Sequence, residues 1–210
     1  MLMGDESVLF TMRQLKQRGW TETLVKKFLG PPDANRPNPH YTSAAPMRLY
    51  AATRVEALEA CEDWRLAAVR SRVRSETGKA VAARKAAELN ERAEQLPITV
   101  TRLPLDQLQE RAIASYNAFH EELQWERGND YEKAAAESDP AFLSRITVNY
   151  IRHSLTAYDT HLQEVAGRIG VSQAIGTIRR RVYAAICATY PEYAEECQRQ
   201  IQFRLLEGQP

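Results

Sequence analysis

The segment from about Thr53 to Leu96 constrains the fold most, because it contains no proline and only one glycine, Gly78. Alanine, arginine and glutamate dominate it, and all three residue types favour helix. A continuous helix over this range would be roughly 65 Å long at about 1.5 Å per residue. The segment therefore predicts one long helix, with smaller elements before and after it.

The start of this helix differs in character from its continuation. Val55, Leu58 and Cys61 form an apolar stripe that is expected to pack on the preceding elements, and Trp64 is expected to close that core. Further on, the helix is too polar to be a core helix. The apolar residues there thin out to Leu66, Val69, Val73 and Val81.

Seven basic residues and one acid, Glu76, follow within the range 65–85. Like charges at i and i+4, as at Arg70 and Arg74, destabilise an isolated helix, and an anionic partner would relieve that repulsion. The alternatives are a solvated helix face or the flank of a coiled coil. The seven are Arg65, Arg70, Arg72, Arg74, Lys79, Arg84 and Lys85, of which Arg65, Arg72 and Lys79 recur every seven residues on one face.

Charge is distributed unevenly along the chain, although the formal net charge is only +1. From Thr11 to Lys85 there are 15 Lys/Arg against 7 Asp/Glu, a balance of +8, whereas from Pro97 onwards there are 12 against 15, a balance of −3. A basic front half on a slightly acidic back half favours an anionic partner for the front half.

Two short helices are predicted before the long one. Thr11 is the expected N-cap of the first, with Gln14 at the capping-box position and Gly19 after its end. Thr21 is the expected N-cap of the second, Glu22–Leu29. Two short helices joined by a glycine-containing turn are typical of a helix-turn-helix unit.

A proline-rich segment, residues 37–50, separates the short helices from the long one. His40-Tyr41 and Met47–Tyr50 are predicted to be extended arms joined by a turn. Pro39 and Pro46 fit only edge positions or strand starts, because proline cannot donate a ladder hydrogen bond. The segment predicts a short β-hairpin that would act as a wing; an irregular surface loop is the alternative.

This first part of the chain, about Thr11 to Leu96, resembles a known DNA-binding module. Asn38-Pro39-His40, then Met47-Arg48-Leu49-Tyr50, then Arg54 to Glu59 and the long basic helix are similar to the C-terminal part of the DNA-binding domain of the xeroderma pigmentosum group A repair family. That module is related in fold to the MerR-type winged helix. The four-cysteine zinc subdomain of the repair family has no counterpart here, so zinc binding does not carry over.

The resemblance implies binding to duplex or junction DNA with limited sequence specificity. The wing would lie against the backbone or minor groove, the basic helix would follow phosphates, and affinity would fall steeply with salt. Besides the seven basic helix residues, the nucleic-acid-binding residues it implies are Lys26, Lys27, Arg36, His40, Tyr41 and Arg48.

The rest of the chain predicts a helical bundle. Residues 97–104 form a proline-bounded linker, and helical patterns follow at about 105–126, 139–167, 172–189 and 192–206, the second capped by Asp139 with Pro140 at its first position. We expect residues 105–210 to bind a protein partner or to mediate self-association.

No pattern of metal-binding, cofactor-binding or membrane-spanning residues is present, so we expect neither metal nor cofactor and no membrane. The three cysteines, Cys61, Cys187 and Cys197, are widely spaced, and the sequence contains no CxxC motif. Cys187 and Cys197 could meet on neighbouring helices, but buried free thiols fit better. Free thiols predict a reducing, cytoplasmic setting.

The fold class predicted is mainly α: a small winged helix-turn-helix with a short β-hairpin, a long basic helix and a C-terminal α-helical bundle. The expected divisions are a loose leader (1–10), a winged-helix module (11–64), a basic helical arm (65–96), the linker (97–104) and the bundle (105–210). The function predicted is non-enzymatic DNA binding. The alternatives are a protein-interaction scaffold that uses the long helix, or an RNA-cleaving helical enzyme that uses Asn149 and His153, which share a face at i and i+4.

Overall fold

The structure is a computed structural model, which describes residues 8–37, 45–128 and 130–207, without the side chains of 204–207. The described chain is mainly helical, with a small three-stranded antiparallel sheet. It divides into two compact units, of which the first extends to Val81 and the second begins at Ala82. None of the described helices is long and apolar enough to cross a membrane.

The first unit contains the sheet and the short helices. Its elements in chain order are β1 (Leu9–Thr11), α1 (Met12–Gln17), α2 (Glu22–Leu24) with a π-helical turn (Val25–Leu29), β2 (Ala34–Arg36), β3 (Met47–Ala51), α3 (Ala52–Glu59) and the beginning of α4 (Glu62–Gln95).

The predicted caps of the two short helices are confirmed. Thr11 Oγ1 accepts from the backbone N–H of Gln14, while the Gln14 side chain accepts from the backbone N–H of Thr11 at 2.8 Å. Thr21 Oγ1 accepts from the N–H of Leu24 at 3.3 Å. Gly19, with φ of 92°, provides the left-handed turn between them. The second helix departs from the prediction in its last five residues, which form a π-helical turn.

The sheet has the order β1-β3-β2, with both pairings antiparallel. Leu9 and Phe10, which we assigned to a loose leader, instead belong to β1, where they pair with Ala51 and Tyr50. The partner of β3 on its other edge is β2, with Arg36 opposite Met47. The predicted arm His40-Tyr41 lies outside the described residues.

The core of the first unit lies between the short helices, β3 and α3. Trp64 packs on Trp20 with ring centroids 5.0 Å apart, as predicted for the residue that closes this core. Cys61 is exposed, however, and does not continue the stripe of Val55 and Leu58. The fully enclosed members are Leu15, Trp20, Leu24, Val25, Leu29, Tyr50 and Val55.

The prediction of one continuous helix from Thr53 to Leu96 is wrong at its beginning. The chain turns at Ala60 and Cys61, between α3 and α4. The guanidinium of Arg65 donates to the carbonyls of Glu59 and Ala60 at the end of α3. These carbonyls have no partner within their own helix, so the arginine satisfies the acceptors that the break exposes.

The second unit is a helical bundle. Asp139 caps α6 by accepting from the N–H of Phe142 at 2.9 Å, with Pro140 in the first turn, as predicted. Its other elements are α5, α7, α8 and α9. Their bounds are Leu105–Arg127 (α5), Pro140–Ser154 (α6), Tyr158–Val165 (α7), Val171–Thr189 (α8) and, after a 3-10 turn at Pro191–Tyr193, Ala194–Glu207 (α9).

The predicted helix over 139–167 is two helices, α6 and α7. Between them Thr156 Oγ1 donates to the carbonyl of Arg152 at 2.6 Å and accepts from the N–H of Tyr158 at 3.1 Å. A side-chain hydroxyl thus replaces part of the helical ladder, which allows the chain to bend without leaving backbone groups unpaired.

The division between the units differs from the predicted boundary at the linker. Leu89 and Ala93 of α4 are buried in the core of the second unit, with Leu96 and residues 98, 100 and 103 packed against it. Arg181 Nη1 donates to the carbonyls of Ala93 and Leu96, both at 2.8 Å. The linker is therefore part of the bundle. Arg84 and Lys85, predicted for the basic arm, belong to the second unit.

Candidate nucleic-acid interface and polar pocket

Four basic residues predicted to contact DNA are exposed in the first unit. Lys26 and Lys27 lie on the π-helical turn, Arg36 ends β2, and Arg48 lies in β3. Lys27 Nζ also lies 4.9 Å from the centroid of the Phe28 ring. Because all four side chains are exposed, they can contact an anion without any change in the packing of the core.

The sheet register separates two of these four. Arg48 is opposite Asn35, and Arg36 is opposite Met47. Paired residues point to the same face and successive residues point to opposite faces, so Arg36 and Arg48 lie on opposite faces of the hairpin. A single phosphate cannot be held between them from one face. His40 and Tyr41, the other predicted wing residues, are outside the described part of the chain.

Two carboxylates connect the hairpin and the helices of this unit. Asp33 accepts from the backbone N–H of Ala51 at 2.8 Å and from Arg54, and these bonds lower its pKa below the ordinary value. Glu59 accepts from Arg18 and from Trp20 Nε1 at 2.8 Å, and the Arg18 hydrogen bond in particular lowers its pKa. Both carboxylates therefore stay charged in their structural roles.

The basic residues of α4 differ in what they already contact. Arg72 pairs with Glu76 at 2.9 Å and Arg84 pairs with Glu88 at 3.4 Å, both exposed pairs. Arg65 is used at the break before α4. Within the described residues, no carboxylate pairs with the remaining four, which are Arg70, Arg74, Lys79 and Lys85.

An apolar stripe on α4 was recognised in the sequence only as a thinning of apolar residues. Leu66, Val69 and Val73 are spaced by three and four residues, and they are 49%, 61% and 55% exposed. At 100° per residue, the stripe lies opposite the face that carries Trp64 into the core. The 3-4 spacing is the signal that could have identified it.

Basic residues border this stripe on both sides. The helical rotation places Arg65, Arg72 and Lys79 along one edge and Arg70 along the other, with Arg74 beyond it. In a coiled coil, residues at these edges face the edges of the partner helix. Two copies of α4 would therefore oppose like charges, whereas an acidic helix would be complementary.

A pocket of about 440 Å³ lies between α5 and α6 in the second unit. Its wall includes two arginines and two histidines but no aspartate or glutamate among the described residues. The lining residues are Ala112, Ser115, Tyr116, Phe119, His120, Arg145, Ile146, Asn149, Tyr150, Arg152, His153 and Ser154.

Arg152 is the buried cation of this pocket, with 3% of its surface exposed. It donates to Tyr183 Oη at 2.7 Å, to Asn149 Oδ1 at 3.1 Å and to His153 Nε2 at 2.9 Å. All three acceptors are neutral, and among the described residues no carboxylate forms an ion pair with it. Its Nε–H is buried, with no hydrogen-bond partner among the described residues. Burying a cation in this way is costly unless another group compensates it.

The contacts of His153 define its tautomer. An arginine can only donate, so Nε2 must accept from Arg152. Nδ1 therefore carries the proton and donates to Asp159 Oδ2 at 2.8 Å. Neither ring nitrogen is left to exchange a proton with a substrate in this arrangement.

A chain of hydrogen bonds continues from Arg152 into α9. Tyr183 donates to Gln200 Oε1 at 2.8 Å, and Gln200 donates to Glu196 Oε1 at 2.7 Å. Arg199 neutralises Glu196 through two hydrogen bonds of 2.7 and 2.9 Å. The carboxylate nearest to Arg152 along this chain is thus already paired.

Asn149 and His153, the pair proposed for RNA cleavage, meet only through Arg152. Arg152 and Tyr183 belong to no site predicted from the sequence, although an arginine on the apolar face of α6 was a visible signal. RNA cleavage by Asn149 and His153 stays a prediction.

Comparisons with known proteins add no relative to this picture. No family model matches the chain, and no curated protein or solved structure is significantly similar to it.

Proposed function

We propose that the first unit is a winged-helix module that binds duplex or junction DNA, mainly through the phosphate backbone. The observation that carries the proposal is the antiparallel β2–β3 hairpin, which directly follows two capped short helices and is bordered by exposed basic residues. Residues 37–46, which include the predicted wing, join the two strands. This order, two short helices followed by a hairpin, supports the proposed winged helix.

The contacts proposed are to phosphates, so the expected sequence specificity is limited. Lys26, Lys27, Arg36 and Arg48 supply point charges around the hairpin. Arg70, Arg74 and Lys79 add exposed charges on α4 that no described carboxylate neutralises. Such contacts release counterions from DNA, which makes the affinity strongly dependent on salt.

The test is duplex binding by the full chain across a salt series. Replacing Arg70, Arg74 and Lys79 with Gln should weaken binding and reduce the slope of log K against log salt by up to about 3, because each lost phosphate contact contributes about 0.9. The matched control replaces Arg102, Arg111 and Arg127, which are exposed in the second unit, with Gln. The control should leave the slope unchanged.

Two results would contradict the proposal. The first is that the wild-type chain fails to bind duplex or junction DNA at low salt. The second is that both triple variants reduce the slope equally, because binding would then depend only on overall charge.

A second candidate function is pairing of α4 with an acidic helix of a partner protein. The exposed stripe of Leu66, Val69 and Val73, bordered by basic residues, favours it. A synthetic helix with leucine at positions a and d and glutamate at e and g should then bind the wild type. It should not bind a variant with Asn at the three stripe positions, whereas DNA binding should be unaffected by that change.

We further propose that the protein is not an enzyme and works in a reducing, cytoplasmic setting, with the bundle available for a protein partner or self-association. The thiols of Cys187 and Cys197, which interact on neighbouring helices without forming a disulfide, support the setting.

A further inference from the structure

The α5–α6 pocket contains a buried cation that no described carboxylate neutralises, although the ring centroids of Tyr158 and Tyr183 lie 5.2 and 5.8 Å from the guanidinium carbon of Arg152. Arg152 is almost fully buried in its wall, and its hydrogen-bond acceptors are the neutral groups of Tyr183, Asn149 and His153. Arginine stays protonated under physiological conditions. Its buried Nε–H has no hydrogen-bond partner within the described part of the chain, so the groups described there do not saturate this guanidinium.

The remaining polar groups of the pocket are also those that attract an anion. Arg145 is exposed at the wall and forms no ion pair with any described carboxylate; its guanidinium lies 5.2 Å from the centroid of the Phe142 ring. His120 and Ser115 add potential donors on α5. With two arginines and no described acid, the wall carries the positive charge that favours an anion such as phosphate.

The opposite part of the wall is aromatic. Tyr116 and His120 have ring centroids 4.2 Å apart, and Phe119 and Tyr150 also line the pocket. Phe119 is 58% exposed although it is a large apolar residue. A flat ring placed on this surface would cover apolar area, and a pocket of about 440 Å³ falls in the size range of small-molecule sites.

We propose that this pocket binds a phosphate monoester that carries a planar ring, a ligand of mononucleotide size. The phosphate supplies the counter-charge for Arg152 and Arg145, and the ring lies on Tyr116 and Phe119. The site belongs to the second unit and does not depend on DNA binding by the first.

The test is calorimetric titration of the full chain with 5′-AMP, 5′-UMP and phenyl phosphate. The controls are adenosine, uridine and inorganic phosphate. At least one monoester should bind saturably, and its matching ligand without phosphate should bind at least tenfold more weakly. Inorganic phosphate should compete with the monoester.

Variants locate the binding. Arg145→Gln replaces an exposed side chain and should weaken binding of the monoester at least tenfold. Ser115→Glu, which adds a negative charge at an exposed position of the wall, should abolish binding. Arg127→Gln, at the end of α5 and outside the pocket, is the matched control and should bind like the wild type.

The proposal fails if none of the three monoesters binds, if AMP and adenosine bind equally, or if the Ser115→Glu chain binds as well as the wild type. Because Arg152 is buried and its replacement could disturb the fold, the test rests on the two exposed positions. The Arg70, Arg74 and Lys79 triple variant should retain monoester binding, which separates this site from the DNA-binding surface.

Discussion

The guanidinium of Arg18 forms two hydrogen bonds with the carboxylate of Glu59, which lies 41 residues further along the chain. Nε–Oε1 is 2.9 Å and Nη2–Oε2 is 2.5 Å. Glu59 Oε1 also accepts from Trp20 Nε1 at 2.8 Å. One side chain at the end of α3 thus fixes the turn after α1 and the buried indole of the core.

Glu59→Gln should make the stability of the first unit less dependent on acid. The pKa of Glu59 is lowered in the folded protein, chiefly by the Arg18 hydrogen bond. The charged form therefore stabilises the fold above the ordinary pKa of about 4.5, and this contribution is lost as the pH falls through the lower folded value. Unfolding by urea should show a deficit of about 1 kcal/mol for the variant at pH 7, since solvent screens the partly exposed pair.

That deficit should shrink as the pH falls below about 4.5. Between pH 6 and 8 it should be constant, because Glu59 is charged throughout in both the folded and unfolded chain. A deficit that grows on acidification would contradict the assignment. Asp33, whose pKa is also lowered, is present in both proteins and cancels from the comparison.

Trp20→Phe should destabilise the protein more than Trp64→Phe. Both indoles belong to the same cluster, but Trp20 Nε1 donates to Glu59, whereas the buried Trp64 Nε1 has no hydrogen-bond partner among the residues that the structure describes. Loss of a hydrogen bond to a charged group costs about 1.5–3 kcal/mol. The smaller phenylalanine ring adds a further cost because it buries less apolar surface. We expect about 2–3 kcal/mol for Trp20→Phe and about 1 kcal/mol or less for Trp64→Phe, measured by circular dichroism in urea. Equal losses would show that the Glu59 contact contributes little.

Gly170→Ala should be far more damaging than Gly167→Ala. Both glycines have positive φ, 87° and 69°, which costs an L-residue about 1–2 kcal/mol. A Cβ at Gly170 would also lie 2.5 Å from Cβ and 2.6 Å from Cα of Ala86, whereas one at Gly167 meets nothing within 4 Å. The overlap should add about 1–3 kcal/mol.

The measurement for the glycine pair is the thermal midpoint of each variant. Adding Ala86→Gly to Gly170→Ala should recover only part of the loss, because the Cα of residue 86 remains too close. Full recovery would mean that neither the contact with the Cα of residue 86 nor the positive φ of residue 170 costs stability.

Cys61 should react with a thiol reagent at pH 8 well before the other two cysteines. It is exposed, Cys187 is half-buried and Cys197 is buried. Burial also raises the pKa of Cys197, so it forms almost no thiolate at this pH. Titration with a chromogenic disulfide should show one fast thiol in the native chain and three in urea. The Cys61→Ser chain should lose the fast phase, and a fast phase that persists would place it at another cysteine.

The sequence by itself determined the helix caps and the order of the main elements. Thr11 with Gln14, Thr21, and Asp139 with Pro140 cap their helices through bonds that span three residues, so their neighbours in sequence are sufficient to predict them. The alternation from short helices to proline-rich segment to long helix, and the helical second half, follow from the same local preferences.

The tertiary structure decided what depends on residues far apart. The sequence could not show that Leu9 and Phe10 would join β3. It also could not show that the linker would pack into the bundle. Each depends on pairing that no local pattern encodes.

The candidate sites divide along the same line. The exposed basic residues could be predicted from the sequence, because water solvates a surface charge and no other residue has to be brought next to it. The pocket could not, because Arg152 is defined by its burial between helices and by Tyr183, which is 31 residues away. A buried charge acquires meaning only from the groups around it, and only the fold brings those groups together.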